Sequence, residues 1–400
     1  PAGLAVVDFA LPADGRLVRQ VNLGENAQAV ATRGGLAYVG TVGGRVYVVD
    51  LGSGSILDRI DVGSRVSDVG LLGETLFVAA ENRLVAYSLL DITAAPLDSE
   101  PLNFFPEGIT TRRRLFVGTQ YAYVTSYPGY DVIDIRDPSN LRRVGNATDS
   151  TANSFKQIVD NGSGLGVVAV GANPRNDGTH HVSLYNVSDP TRTTRFITTL
   201  ETPGLAHALS IFNGLAYVAD GEAGLQVVNY LSYDAGSQPP SITLGADFPL
   251  SPPQAEEGKL VRVFANVSDD VQVARVEFFV DGNLIATDGN FPFDQRFVTP
   301  LRTATKTGFS LRARAYDTGG NFSDTPLITV TLVPDATPPR VIRRFPVAGG
   351  IIGATDTTAV YFNEPLNLAT VTAGNFSLLF AGANGAFGGG DDALIPATAI

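Results

Sequence analysis

Four aspartates, Asp269, Asp270, Asp281 and Asp317, fall in short turns between strand-like runs. Carboxylate oxygens gathered from several loops are hard ligands, and hard oxygen ligands suit Ca²⁺. Tight turns also favour Asp for their own geometry, and no stretch follows the spacing of an EF-hand loop. No resident cofactor is therefore expected, with calcium left open at these four positions. Asp391 and Asp392 form a further acidic pair in a Gly-rich tail. The chain has only three histidines. His180 and His181 are adjacent, so on a strand they face opposite ways and read as loop-tip residues. His207 opens a strand-like run, with Ser210 close behind. A nucleophile must be held against its base, and Ser210 has no elbow motif around it. Asp220 and Glu222 could in principle act as paired acid and base on a sugar, yet they occupy a turn. No catalytic residue is expected, and His207 and Asp220 are the first positions to test should that reading fail.

The elements that carry these residues announce themselves by repetition. Residues 35–50 read GLAYVGTVGGRVYVVD and residues 214–229 read GLAYVADGEAGLQVVN. Each copy is two alternating, β-branched runs around a tight turn. Pairs follow at Leu36–Thr41 with Arg45–Leu51, Thr75–Ala80 with Arg83–Leu89, Tyr121–Ser126 with Tyr130–Ile135, Gly166–Val170 with His181–Val187, and Leu215–Ala219 with Leu225–Leu231. A strand pair alone has too little apolar face to stand by itself, so copies must stack. Inner strands such as Ala27–Thr32 and outer ones such as Ile56–Val62 bring each unit to four strands. That period, roughly 40–50 residues, predicts a β-propeller of about five to six blades over residues 1–234. Gly3–Asp8 matches the second half of the motif, so the chain enters in mid-blade. The run Leu17–Leu23 is expected either to close the ring against the last blade or to belong with strands supplied upstream.

The composition shifts near Asp234. The stretch AGSQPP at 235–240 reads as a linker. Strands at Leu260–Val267, Val273–Val280, Asn283–Asp288, Phe293–Val298, Ser310–Tyr316 and Leu327–Val333 follow, with Asp281-Gly282 as a hairpin turn. This is a β-sandwich over 235–334. A second Pro-rich joint, VPDATPP at 333–339, leads to a third module over 335–400 that reads as cut short at its C-terminus. The fold class is all-β throughout.

The 400 residues carry a net charge of −12, with no Cys, Met or Trp. The acidic balance disfavours nucleic acid, whose phosphates require clustered Lys and Arg. The single basic run, Arg112-Arg113-Arg114, reads as a solvated turn or edge, or as a local anionic contact. No disulfide or thiolate site is possible. The absence of both sulfur residues leans towards an exposed, extracellular setting. No apolar stretch reaches the ~18 residues of a membrane helix, so no membrane insertion is expected. Gly43-Gly44 and Gly388-Gly389-Gly390 lack the helix that a phosphate loop needs. Asn146, Asn186, Asn266, Asn321 and Asn375 stand in glycosylation sequons, which matter only in a glycosylating host.

The Leu-Ala-Tyr-Val and Gly-Leu-x-Val-Val-Asn units at 214–229, with relatives at 35–50 and 121–134, resemble the LVIVD-type propeller repeats of bacterial surface and secreted proteins. Residues 241–334, with Val276-Glu277-Phe278-Phe279-Val280-Asp281-Gly282 and Ala315-Tyr316-Asp317-Thr318-Gly319-Gly320-Asn321, resemble bacterial immunoglobulin-like (Ig-like) modules. Residues 337–380, with Tyr361-Phe362-Asn363-Glu364-Pro365-Leu366, resemble the SbsA-type module of surface layers. These resemblances imply an extracellular, multidomain, non-enzymatic protein. The expected role is a scaffold or adhesin whose propeller binds protein or glycan through loops such as Gly171–His180 and Tyr127–Gly129, with the modules as spacers. A self-assembling component of a surface layer, sheath or filament, and an enzyme using the propeller channel, are the alternatives.

Overall fold

The repeat's turns select the topology. Asn213 and Gly214 both take positive φ, 49° and 75°, the backbone of a type I′ turn, whose twist matches that of flanking antiparallel strands. Asp281-Gly282 does the same, at 50° and 77°. A computed structural model describes residues 3–10, 14–91, 95–103, 112–126, 129–146, 153–171, 181–232, 234–236, 238–345, 358–375, 377–380, 382–383, 388 and 390–396.

The first sheet pairs β1 (Gly3–Asp8) with β2 (Arg16–Asn22). The second is β3 (Ala27–Arg33), β4 (Leu36–Thr41), β5 (Arg45–Asp50) and β6 (Ile56–Asp61). The third is β7 (Val66–Leu72), β8 (Thr75–Ala80), β9 (Arg83–Ser88) and β10 (Asp98–Pro101). The fourth is β11 (Leu115–Val117), β12 (Tyr121–Ser126), β13 (Gly129–Asp134) and β14 (Arg142–Gly145). The fifth is β15 (Asn153–Asp160), β16 (Leu165–Gly171), β17 (His181–Asn186) and β18 (Phe196–Leu200). The sixth is β19 (Ala208–Phe212), β20 (Leu215–Ala219) and β21 (Leu225–Val228). Each is an antiparallel meander in chain order.

The registers are equivalent. Tyr38 lies opposite Val48, Tyr123 opposite Val132, and Tyr217 opposite Val227. Each sheet packs its face on the next. Tyr38, Val46 and Val48 of the second meet Val69, Leu76 and Val78 of the third. Phe77 and Ala86 meet Ala122 and Ile133 of the fourth. Tyr123 and Tyr130 meet Phe155 and Tyr185 of the fifth, and Val167 and Ala169 meet Ala216 and Val218 of the sixth. These are propeller blades, buried on both sides, which explains why β4 and β8 are buried at every position.

The Leu17–Leu23 run does not complete the last blade, because β2 pairs with β1 and packs on the second sheet through Val21 and Leu23. The sixth sheet keeps three strands, with Leu225 and Val227 of β21 exposed.

The sandwich follows. One layer is β22 (Ser241–Ala246), β24 (Leu260–Ser268) and β27 (Asp294–Val298). The other holds β23 (Gln254–Glu256), β25 (Val273–Val280), β26 (Asn283–Asp288), β28 (Gly308–Asp317), β29 (Phe322–Asp324) and β30 (Ile328–Val333). Val263, Ala265, Val276, Phe278, Phe309, Leu311 and Ala313 fill the space between the layers. Two hairpins complete the described chain, β31 (Val341–Phe345) with β32 (Ala359–Phe362), and β33 (Ser377–Phe380) with β34 (Ala393–Pro396).

Candidate functional site

In a blade of four antiparallel strands, the turns joining strands one to two and three to four lie on one face of the disc. The turns joining two to three lie on the other, with the crossings from each blade to the next. The sandwich seats itself on the first of these faces, across four consecutive blades. Arg296 pairs with Glu74 beside the β7–β8 turn. Phe291 stacks on Phe116 of β11, with ring centroids 6.2 Å apart. Its ring covers Gly162 in the β15–β16 turn so closely that a Cβ there would sit 2.6 Å away. Ser163 Oγ accepts the Asp269 N–H at 3.3 Å. The Asn213 N–H of the β19–β20 turn donates to the Gly289 carbonyl at 3.0 Å.

The β31–β32 hairpin reaches the same face. Arg343, 4% exposed, donates to the Leu89 carbonyl at 3.2 Å, and the Tyr361 hydroxyl donates to the Asp50 carboxylate at 2.9 Å. Lys259 ties the two modules together. Its Nζ lies 2.7 Å from Asp335, donates to the Thr337 carbonyl at 2.6 Å, and pairs with Glu364.

At the joint the structure brings together two of the four calcium candidates and adds a residue that the sequence reading missed. Strand alternation places Phe309, Leu311, Ala313 and Ala315 of β28 on the core face, and Asp317 continues that line. Val261, Val263, Ala265 and Val267 do the same in β24, and Asp269 is the next step. Two carboxylates therefore cap the sandwich core at its propeller end. Asp234, from the segment leaving the propeller, joins them, with one carboxylate oxygen of each residue within 4.8 Å of the others. Gly319 makes the approach possible, since a Cβ there would lie 2.7 Å from the Asp234 carbonyl oxygen. Burial and the neighbouring Asp317 and Asp270 raise the pKa of Asp269. Asp270 is exposed at the edge of the group, its Oδ2 3.7 Å from the Cβ position of Gly236. Asp281 is elsewhere, accepting Lys306 Nζ at 2.5 Å and the Ser310 N–H at 2.9 Å. Burial alone would raise its pKa, but those bonds outweigh it and hold the carboxyl below its usual range.

The opposite face of the propeller holds His207 and Asp220. His207 Nδ1 lies 3.5 Å from Lys156 Nζ. Burial and then the Lys156 charge lower the His207 pKa, and burial lowers that of Lys156 to about 8. Asp220 is fully buried and holds a loop, accepting Thr202 Oγ1 at 2.7 Å and the Gly204 N–H at 2.8 Å. Glu222 is exposed, and Ser210 sits within β19 opposite Tyr217. Asn321 donates its amide to Asp317 at 2.8 Å. His180, residues 172–180 of one proposed binding loop, and Tyr127 and Pro128 of the other lie outside the described residues.

The basic run is not a solvated turn. Arg113 is 2% exposed, donating to the Glu81 carbonyl at 2.9 Å and to the Asn103 carbonyl, and burial lowers its pKa to about 10. Arg112 donates to the Gln28 carbonyl two blades away, and Arg114 lies 3.7 Å from Asp68. These cations tie the inner strands together.

Comparison with known families places the LVIVD repeat at residues 113–149 and 203–242, and a bacterial Ig domain at 241–320. No curated protein matches the chain. Among solved structures, the Neurospora crassa Pan2 WD40 domain is similar at 10% identity and a TM-score of 0.42, over 56% of this chain and 69% of that one. The computationally designed Ika8 protein is similar at 11% identity and 0.35, over 77% of this chain and 96% of its own. Among the described residues no helix is long and apolar enough to cross a membrane. Modules of both kinds are common in extracellular proteins, and the chain carries LVIVD repeats within its propeller and a bacterial Ig domain after it.

Proposed function

We propose that this protein is a non-enzymatic extracellular scaffold, in which the uncovered propeller face binds protein or glycan and the Ig-like modules hold that face outward. One observation carries the reading. Among the described residues, the hydrogen bonds between the propeller and the modules fall at the one-to-two and three-to-four turns. The face with the two-to-three turns is left to a partner. Loops fixed on stacked sheets lose little ordering entropy on binding.

The test is a binding screen against glycans and host-surface proteins, repeated with residues 127–129 and 171–180 replaced by Gly-Ser turns. Loss of the captured partner with an unchanged melting temperature is expected. Capture that survives both replacements but fails when residues on the covered face are changed would refute the reading. Turnover of glycosides or esters that is abolished by His207→Ala would instead make the channel catalytic.

A self-assembling surface component is the second reading. It is favoured by the exposed Phe9, Leu17 and Val18 near β1–β2 and by Leu225 and Val227 on β21, since open strand edges with apolar side chains invite pairing between chains. Ordered arrays of the purified protein under electron microscopy would favour it over the first.

A further inference from the structure

We infer that Asp234, Asp269 and Asp317 form a calcium site that fastens the segment leaving the propeller to the core end of the Ig-like module. The proposal stands whether or not the free face binds a partner. Three carboxylates converge within 4.8 Å, and two oxygens on one calcium are separated by at most about 5 Å. Proximity alone does not make a site, and the second observation is the state of the oxygens. Asp234 is 3% exposed. Its Oδ1 accepts the Gly236 N–H at 2.9 Å, while its buried Oδ2 meets no hydrogen-bond donor. Asp269 is similar, with Oδ2 accepting the Val271 N–H at 3.0 Å, the Gln272 N–H nearby, and Oδ1 meeting no donor at hydrogen-bond distance and angle. A buried carboxylate oxygen with neither donor nor cation is costly to leave so.

Asp317 is held by two donors from Asn321, the backbone N–H and the side-chain amide, each at 2.8 Å. Those bonds orient its carboxyl and leave a further lone pair on each oxygen. No Lys or Arg forms an ion pair with any of the three among the described residues, in contrast to Asp281, which has Lys306. The donor set contains only carboxylate oxygen, with no imidazole or thiolate, which selects a hard cation over zinc. A cluster of protein carboxylates suits calcium better than magnesium, which retains several of its waters. The three residues come from the propeller exit, the β24–β25 loop and the end of β28, so a bound ion bridges what the chain joins only through a linker.

The test is calcium titration of the chelator-treated full chain by calorimetry, with thermal melts in chelator and in excess calcium. One calcium per chain is expected, in the sub-millimolar range typical of extracellular modules. The melting temperature of the Ig-like transition should rise by about 5 °C at saturating calcium. Asp234→Asn and Asp269→Asn should each weaken binding at least tenfold, and Asp281→Asn should leave it unchanged. In chelator, Asp269→Asn should melt at or above the unsubstituted protein, because it relieves repulsion among the carboxylates. A purely structural aspartate would show the opposite sign. No binding heat and no melting shift at 10 mM calcium would overturn the inference, as would affinity unchanged by Asp234→Asn and Asp269→Asn. The titration of the unsubstituted protein keeps the idea falsifiable even if a variant misfolds.

Discussion

Asp160 shows what a single half-buried carboxyl does to the molecule. It sits at the end of β15, accepting the Gly162 N–H at 2.8 Å and the Tyr123 hydroxyl at 3.1 Å. Burial pushes its pKa up to about 6 against those hydrogen bonds. The folded value lies above the unfolded one, so the folded state holds the proton more tightly. The resulting penalty is absent below about pH 4, grows as pH rises, and is complete above about pH 6. Asp160→Asn should remove that slope and stabilise the protein at pH 7 by up to about 3 kcal/mol, read from denaturant melts at pH 4 and pH 7. Equal stability differences at the two pH values would contradict it. Residues of this kind were only partly legible in the sequence. Asp269 and Asp317 were legible as turn aspartates, and the period-two alternation that carries them onto a core face is the signal that sets them apart. Asp281 looked the same but serves an Asp-Gly turn and a lysine. Asp234 lies in a linker without periodicity, and only the fold brings it to the joint. Arg113 looked solvated because nothing in an Arg-Arg-Arg run tells which guanidinium turns inward.

At the scale of elements, the Leu-Ala-Tyr-Val and Val-Val-Asp runs were readable because every copy keeps the same register across the same pair of strands. Short outer strands such as β10 and β14 carry little pattern of their own, and their place is set by the neighbouring strand. The seat of the sandwich could not be read at all. Phe291 follows a turn and looks like any loop aromatic, yet it stacks on Phe116 and covers Gly162. Phe291→Ala should loosen the seat by about 1–3 kcal/mol while leaving the blades intact. Faster proteolysis within 235–240, with unchanged exchange protection of β12 and β16, is the expected result. Simultaneous loss of protection in both blades would show that the ring supports the propeller core instead.

The whole molecule is a propeller with one face engaged by its own modules, and the account of its function depends on that arrangement. The repeats and the sandwich arithmetic predict the parts, but which face is covered depends on contacts made at places far apart in the chain. The absence of cysteine allows a clean test. Asn213→Cys with Gly289→Cys places two thiols where the backbone atoms already lie 3.0 Å apart, within reach of a disulfide. Glu81→Cys with Gly289→Cys places one thiol on the opposite face. Mild oxidation should crosslink the first pair completely within the monomer and leave the second pair free. A first pair that stays reduced, or a second pair that closes, would contradict the covered-face arrangement.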